Sequence, residues 1–257
     1  MRREVRRVSP VVGRWTLALV LLSLSSVALA QRAPSPRDPA LAAADEIDRR
    51  VATFRAFRSE AVHGAWRDAE PWSVRAGDAC RDEARSLGLV LAPIATHLTP
   101  IPAAVQILAP IGGVSFPKER EGAPLIVACE LAVRMPRIAA VLRDHGIHEA
   151  HVLSAWRRQP RTSFHTFGLA LDLTRFARDD GTELVVDRDF VQDPDHPTCD
   201  GVDRTPAHEP AAALRALACD LADRAGLSTV ITPEYNEGHH DHFHVDVRPH
   251  DPRVFVR

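Results

Sequence analysis

Tyrosine occurs once and methionine twice, and all aromatic residues together make up 5% of the chain. No basic patch is interleaved with aromatics, so the sequence gives no hint of nucleic-acid binding. Positive charge is not in excess, with a formal net charge of −2 over 257 residues. Cysteine is limited to four residues, none of them in Cys-x-x-Cys, which argues against a cysteine-based zinc site. The apolar run Trp15 to Leu24 is too short for a comfortable membrane span. What remains is an ordinary globular composition, 45% hydrophobic and 26% charged.

Charge and apolarity are unevenly placed at the N-terminus. Arg2, Arg3, Arg6, Arg7 and Arg14 against Glu4 give residues 1–30 a charge of +4, so the rest of the chain carries −6. Arginines, then an apolar run, then Ala28-Leu-Ala30 before Gln31 have the three parts of a secretory signal. We expect residues 1–30 to direct export to the periplasm or exterior; an uncleaved anchor is the alternative. Cleavage would leave no stable membrane span. Residues 31–76 read as a proline-rich linker followed by an amphipathic helix over Ala40 to Trp66. Residues 77–257 then form one domain, long enough to bury a core.

Four of the thirteen histidines lie within six residues: His239, His240, His242 and His244. The segment ends as a strand. Side chains alternate along a strand, so His242, His244 and Asp246 share one face while Phe243, Val245 and Val247 share the other. Upstream, Gly168, Ala170 and Asp172 alternate with Leu169, Leu171 and Leu173, which predicts a strand with a leucine face and a face stripped of bulk. His165 arrives just before it from a turn. If the two strands are neighbours, His165, Asp172 and His244 place two nitrogens and one oxygen around a point. That donor set suits one zinc ion per chain with an open fourth position. The plainer alternative is a histidine-rich surface turn with no metal, with Asp172 capping a helix or pairing with a cation.

The sequence His165-x-x-Gly168-x-Ala170-x-Asp172 followed by His239-x-x-His242-Phe-His244 resembles the lysostaphin, D-Ala-D-Ala and hedgehog superfamily of zinc peptidases. From about Arg157 to Val247 the chain is most similar to the extensin-like protein C-terminal domain family. The resemblance implies His165, Asp172 and His244 as metal ligands, His242 as a catalytic histidine and His239 as a second. The carboxypeptidase branch carries Glu three residues before the last ligand; here that position is Asp241. The histidine scheme of murein endopeptidases therefore fits better. The resemblance also places an arginine near the scissile carbonyl. Arg157 is favoured over Arg158, because only one of two adjacent strand residues can face the site; a solvated pair is the alternative. Asp246 is either a carboxylate orienting a site histidine or a surface ion pair.

The fold expected is α+β, a small central antiparallel sheet flanked by helices, as in D-Ala-D-Ala carboxypeptidases and hedgehog. Leu125 to His145 reads as a helix kinked or broken at Pro136, His151 to Arg158 as a strand, Asp179-Asp-Gly181 as a hairpin turn, and Ala211 to Gly226 as a second helix. The polar stretch from Asp187 to Glu209 reads as a long loop, and His97, His196 and His208 as loop histidines. Four cysteines in an exported chain suggest two disulfides with three connectivities, and we pair Cys80 with Cys129 and Cys199 with Cys219. The functional expectation is an exported zinc-dependent peptidase or amidase acting on peptidoglycan or another peptide. A non-catalytic zinc-containing module that binds cell wall or protein is the alternative.

Overall fold

The computed structural model describes residues 65–68, 77–95, 101, 103–158, 163–193, 199, 202–203, 209–248 and 253–257, all within the unit Asp38–Arg257. The signal segment, the linker, the expected helix up to residue 64, His97, His196 and His208 lie outside them. Helix α1 (Gly77–Ser86) is followed by strands β2 (Leu91–Pro93), β3 (Val105–Ile107) and β4 (Leu125–Val127), which pair as a three-stranded antiparallel sheet. Short helix α2 (Cys129–Ala132) and helix α3 (Met135–Asp144) lead to β5 (Ile147–Ser154). A 3-10 turn (Phe164–Phe167) precedes β6 (Ala170–Arg178), then come β7 (Glu183–Val185), α4 (Val186–Asp189), α5 (Pro210–Arg224) and β8 (Thr229–Ile231). A second 3-10 turn (Glu237–His239) enters β9 (Phe243–Asp246), and β10 (Arg253–Val256) pairs with β1 (Ala65–Asp68).

The fold is α+β, but the main sheet is neither small nor purely antiparallel. Seven strands run in the order β1-β10-β8-β9-β6-β5, with β7 also on β6, and β10 lies parallel to β8. The family resemblance ends near Val247, and no strand is expected after it; the apolar Val254-Phe-Val256 returns to the sheet and extends it. Trp66, expected at the end of a helix, lies in strand β1.

The segment Leu125 to His145 also differs from expectation. Leu-Ile-Val at 125–127 is a strand, because its β-branched residues pair with Val105–Ile107. At Pro136 the helical stretch is broken and not kinked, as one of the two expectations had it: α2 ends at Ala132, and Pro136 sits in the first turn of α3, where a missing N–H costs nothing. Strand β5 spans 147–154 instead of 151–158: Gly146, at φ 70°, turns the chain into it directly after α3. The hairpin turn and α5 lie where expected, with Gly226 at φ 68° beyond the helix end. The stretch expected as loop from Asp187 begins instead with the helical turn α4.

The leucine face of β6 is buried. Leu171 pairs with Val245 and Leu173 with Phe243, and these residues join Ile138 and Leu142 of α3 and Leu214 and Leu217 of α5 in one core. Disulfides Cys80–Cys129 and Cys199–Cys219 tie α1 to α2 and residue 199 to α5, the pairing expected. Disulfides of this kind belong to oxidising compartments. Among the described residues no helix is long and apolar enough to cross a membrane.

Gly168 ends the His165 turn in the left-handed region, at φ 67°. A β-carbon there would lie 2.7 Å from the Ala128 nitrogen and 2.7 Å from Ile101 Cδ1. The backbone contact cannot yield, since the Ala128 N–H donates to the Gly168 carbonyl at 2.8 Å. Gly168→Ala is therefore expected to cost about 2–4 kcal/mol in urea unfolding; a loss below ~0.5 kcal/mol would contradict this packing.

Glu130 of α2 is 6% exposed, and burial pushes its carboxyl up to about 7. A raised acid stabilises the fold below its unfolded pKa and loses that contribution as pH rises through the folded value. Stability should thus fall between about pH 4.5 and 7. Glu130→Gln should remove this fall, gaining roughly 2–3 kcal/mol over wild type at pH 8 and nothing at pH 4. Denaturant unfolding at the two pH values measures both.

Candidate metal centre

Strands β6 and β9 are neighbours, and Asp172 lies directly opposite His244 in their ladder. Residues opposite one another in a sheet project to the same face. Both side chains therefore stand on the face away from the leucines, where Ala170 leaves room. Ser154, opposite Asp172 on β5, adds a hydroxyl 3.5 Å from His165 Nδ1. His165 is brought over the strand by the 3-10 turn. Ser163 caps that turn by accepting from the His165 N–H at 3.3 Å, and Gly168 closes it.

The three side chains meet. His165 Nε2 is 3.0 Å from Asp172 Oδ1, His244 Nδ1 is 2.9 Å from the same oxygen, and the two ring nitrogens are 3.2 Å apart. Their relative exposures are 0%, 3% and 9% for His165, Asp172 and His244. Among the described residues this is the one group of donors placed to hold a metal ion.

The outer partners decide which ring nitrogen faces inward. His165 Nδ1–H donates to the Ala155 carbonyl at 2.6 Å, which leaves Nε2 with its lone pair toward Asp172. His244 Nε2–H donates to Asp246 at 3.3 Å, which leaves Nδ1 inward. Asp246 is 1% exposed and is held by Arg248, so it is a carboxylate behind His244 and not a surface ion pair. Backing of this kind is usual behind metal-bound imidazoles.

Three lone-pair atoms about 3 Å apart repel unless positive charge lies among them. A proton can supply it. Burial disfavours charge on His244, but hydrogen bonds to Asp172 and Asp246 outweigh burial and push its pKa up to about 9. Burial pulls His165 the other way, below its ordinary value, against the attraction of Asp172. Burial alone would raise Asp172; bonds from His165 and His244 instead hold it well below the usual carboxylate range. For Asp246 burial is likewise overcome, by the Arg248 charge and His244, and the group falls to about 2. A divalent cation satisfies the same constraint with all three donors at once. Two imidazoles and one carboxylate are a donor set that zinc accepts, and tetrahedral bonds of 2.0–2.1 Å put ligand atoms about 3.3 Å apart, near the spacings here.

His242 is closer than its place in the sequence implies. Two strand residues would separate it from His244 by about 7 Å, yet its Nε2 is 3.4 Å from Asp172 Oδ1. Strand β9 begins only at Phe243, so the His242 backbone is free of the pleat and its ring folds back over the cluster. Its Nδ1–H donates to Asp241 at 2.6 Å. Asp241, read in the sequence only as the place of a missing Glu, thus aims the His242 ring. His239 lies beyond, its ring 5.1 Å from that of His242 and 5.8 Å from that of His244, with Nδ1 2.7 Å from Asn236 Oδ1.

The alternation argument for the arginines does not apply, because β5 ends at Ser154 and both residues follow it. Arg157 is exposed, its N–H donates to the His165 carbonyl at 3.3 Å, and its charge bears on His165. Arg158 instead lies over the Trp156 ring at 5.9 Å. The sequence reading missed Lys118. Its ammonium donates to the Leu153 carbonyl at 2.8 Å; burial lowers its pKa, against the attraction of Asp172 and Glu119. No sequence pattern marks Lys118, since it reaches β5 through a parallel bridge to Val152.

Residues 151–255 match the family described as Extensin-like protein C-terminus. All six residues singled out, Arg157, His165, Asp172, His239, His242 and His244, fall inside that span. No curated protein and no solved structure matches the chain.

Equilibrium dialysis against Zn2+ followed by metal analysis is expected to find one ion per chain. Asp172→Asn keeps the shape but removes the carboxylate charge that touches both rings, and should abolish binding at micromolar zinc. Wild-type occupancy in that variant would refute the assignment.

Proposed function

We propose that the protein is an exported zinc-dependent peptidase or amidase, related to the lysostaphin, D-Ala-D-Ala and hedgehog superfamily and acting on peptidoglycan peptides. The observation that carries the reading is the pair of histidine arrangements on one sheet face. His165, Asp172 and His244 converge, while His242 stands beside them with a carboxylate behind its ring. A zinc ion held by the first three would supply Lewis-acid polarisation of an amide carbonyl and acidify a water. The signal-like residues 1–30 and the two disulfides support export.

The chain's own groups then divide the work. Asp241 accepts from His242 Nδ1–H, so the other nitrogen, Nε2, keeps its lone pair and would take a proton from water and return it to the leaving amine. His239, its ring 5.1 Å from that of His242, would serve the leaving group. Arg157, exposed beside the His165 segment, offers a cation to charge developing on the scissile carbonyl. Leu171, Leu173, Phe243 and Val245 fix the two strands from below, so the donors need little reorganisation.

The 3.4 Å between His242 Nε2 and Asp172 Oδ1 favours a second reading. If His242 is a fourth ligand, the site is closed and structural, and the domain binds wall or protein without cleaving it. His242→Ala separates the two. Under the hydrolase reading, chelator-sensitive cleavage of muropeptides falls about 10²–10⁴-fold while zinc content stays at one per chain. Under the binding-module reading no muropeptide is cleaved by the wild type, and the variant loses zinc.

A further inference from the structure

Arg248 is a cation sealed in the protein, 4% exposed, just past the end of β9. Nothing in the arrangement of His165, Asp172, His242 and His244 calls for it. Buried arginines are rare, and each needs partners that match its planar fork. Here Nε donates to Asp246 Oδ1 at 3.2 Å and Nη2 to Oδ2 at 3.4 Å, so both carboxylate oxygens are engaged by one guanidinium. Oδ2 is also the oxygen that accepts from His244 Nε2–H at 3.3 Å. The Cζ of the same guanidinium lies over the Phe164 ring, 5.1 Å from its centroid. Phe164 is the residue before His165 and begins the turn that carries it. The Arg248 backbone is itself fixed, its N–H donating to Ser228 Oγ at 2.8 Å.

These contacts reach both halves of the donor cluster by different routes. Through Asp246, Arg248 sets the rotation of the His244 ring and keeps Nδ1 inward. Through Phe164 it presses on the turn that delivers His165. His244 comes from a strand and His165 from a turn far back in the chain; Leu169 N–H to the Phe164 carbonyl and Val247 N–H to the Leu169 carbonyl join the two backbones, but these bonds do not set the rotation of either ring.

We propose that Arg248 is a positioning residue that clamps the two imidazoles of the centre in register, by a two-bond hold on Asp246 and a stacking hold on Phe164. This rests on the metal-centre reading given above. Arginine suits the task because one group offers both an in-plane fork and a flat face; lysine offers neither. Without the fork the Asp246 carboxylate is free to rotate, and the His244 ring turns with it. Without the guanidinium over its ring, Phe164 loses one of the contacts that steady the turn carrying His165, whose backbone bonds remain.

The test uses the purified chain as wild type, Arg248→Met, Arg248→Lys and Phe164→Leu. Zn2+ affinity is read by competition with a chromophoric chelator, Co2+ coordination by visible absorption, and the metal-free fold by thermal unfolding. Arg248→Met is expected to lower zinc affinity about 10–100-fold and to alter the Co2+ band. Arg248→Lys should recover only part of the loss. Phe164→Leu, which leaves the fork intact, should lower affinity about threefold or more. A purely structural arginine would shift unfolding while leaving zinc affinity and the Co2+ band unchanged, and that result overturns the proposal. If Arg248→Met fails to fold, Arg248→Lys and Phe164→Leu decide, and wild-type affinity in both overturns it. A wild type that binds no zinc removes the metal-centre reading and this inference together; tight zinc binding by wild type and by all variants removes this inference alone.

Discussion

In the ladder between β6 and β9, Asp172 stands across from His244, with Leu171 across from Val245 and Leu173 across from Phe243. A slip of one residue in either strand would turn its polar side chain into the core and its apolar ones out. The register is therefore held by the apolar face, and the polar face inherits it. Burying the leucines and Phe243 fixes the position of the carboxylate and imidazole on the other side. The chemistry of the site depends on hydrophobic packing that never touches it.

That inheritance has an electrostatic consequence. Asp172 and Asp246 are both carboxylates sunk almost out of solvent, where an unpaired charge is costly. They are tolerable because imidazoles and a guanidinium meet them in sequence: His165 and His244 on Asp172, then His244 and Arg248 on Asp246. The row runs from half-buried His239 and buried His242 at one end to buried Arg248 against Phe164 at the other. Each ring nitrogen is committed to one direction by its neighbour. Such a row is rigid, which suits both metal holding and proton transfer, since neither tolerates a donor that wanders.

Much of this was legible in the chain, because alternation is a local property. The period of two in Ala170–Leu173 and Phe243–Asp246 identified two strands, their buried faces and the donors on the other face, although Gly168, read with the first strand, closes the turn before it. The same reasoning failed where its assumption of regular backbone failed. His242 lies one residue before β9, so a spacing of two along a strand placed it too far from the cluster. Arg157 and Arg158 follow the end of β5, so alternation could not choose between them. Pro136 marked the break in the helical stretch, but the apolar stripe hid that Leu125–Val127 belong to a sheet whose other strands lie earlier in the chain.

The amino-acid order by itself determined which residues carry donors, which face of each strand they occupy, and that the chain would fold as α+β with two cysteine pairs. Tertiary structure alone decided the direction of every ring. The acceptor for His165 Nδ1–H is the carbonyl of Ala155, the support for Asp246 is Arg248, and the ammonium that senses Asp172 belongs to Lys118. A backbone carbonyl carries no residue signature, and a buried arginine or lysine is written in the sequence like an exposed one. Which nitrogen of a histidine faces inward depends on what stands behind it, and that is settled only when segments distant in the chain come into contact.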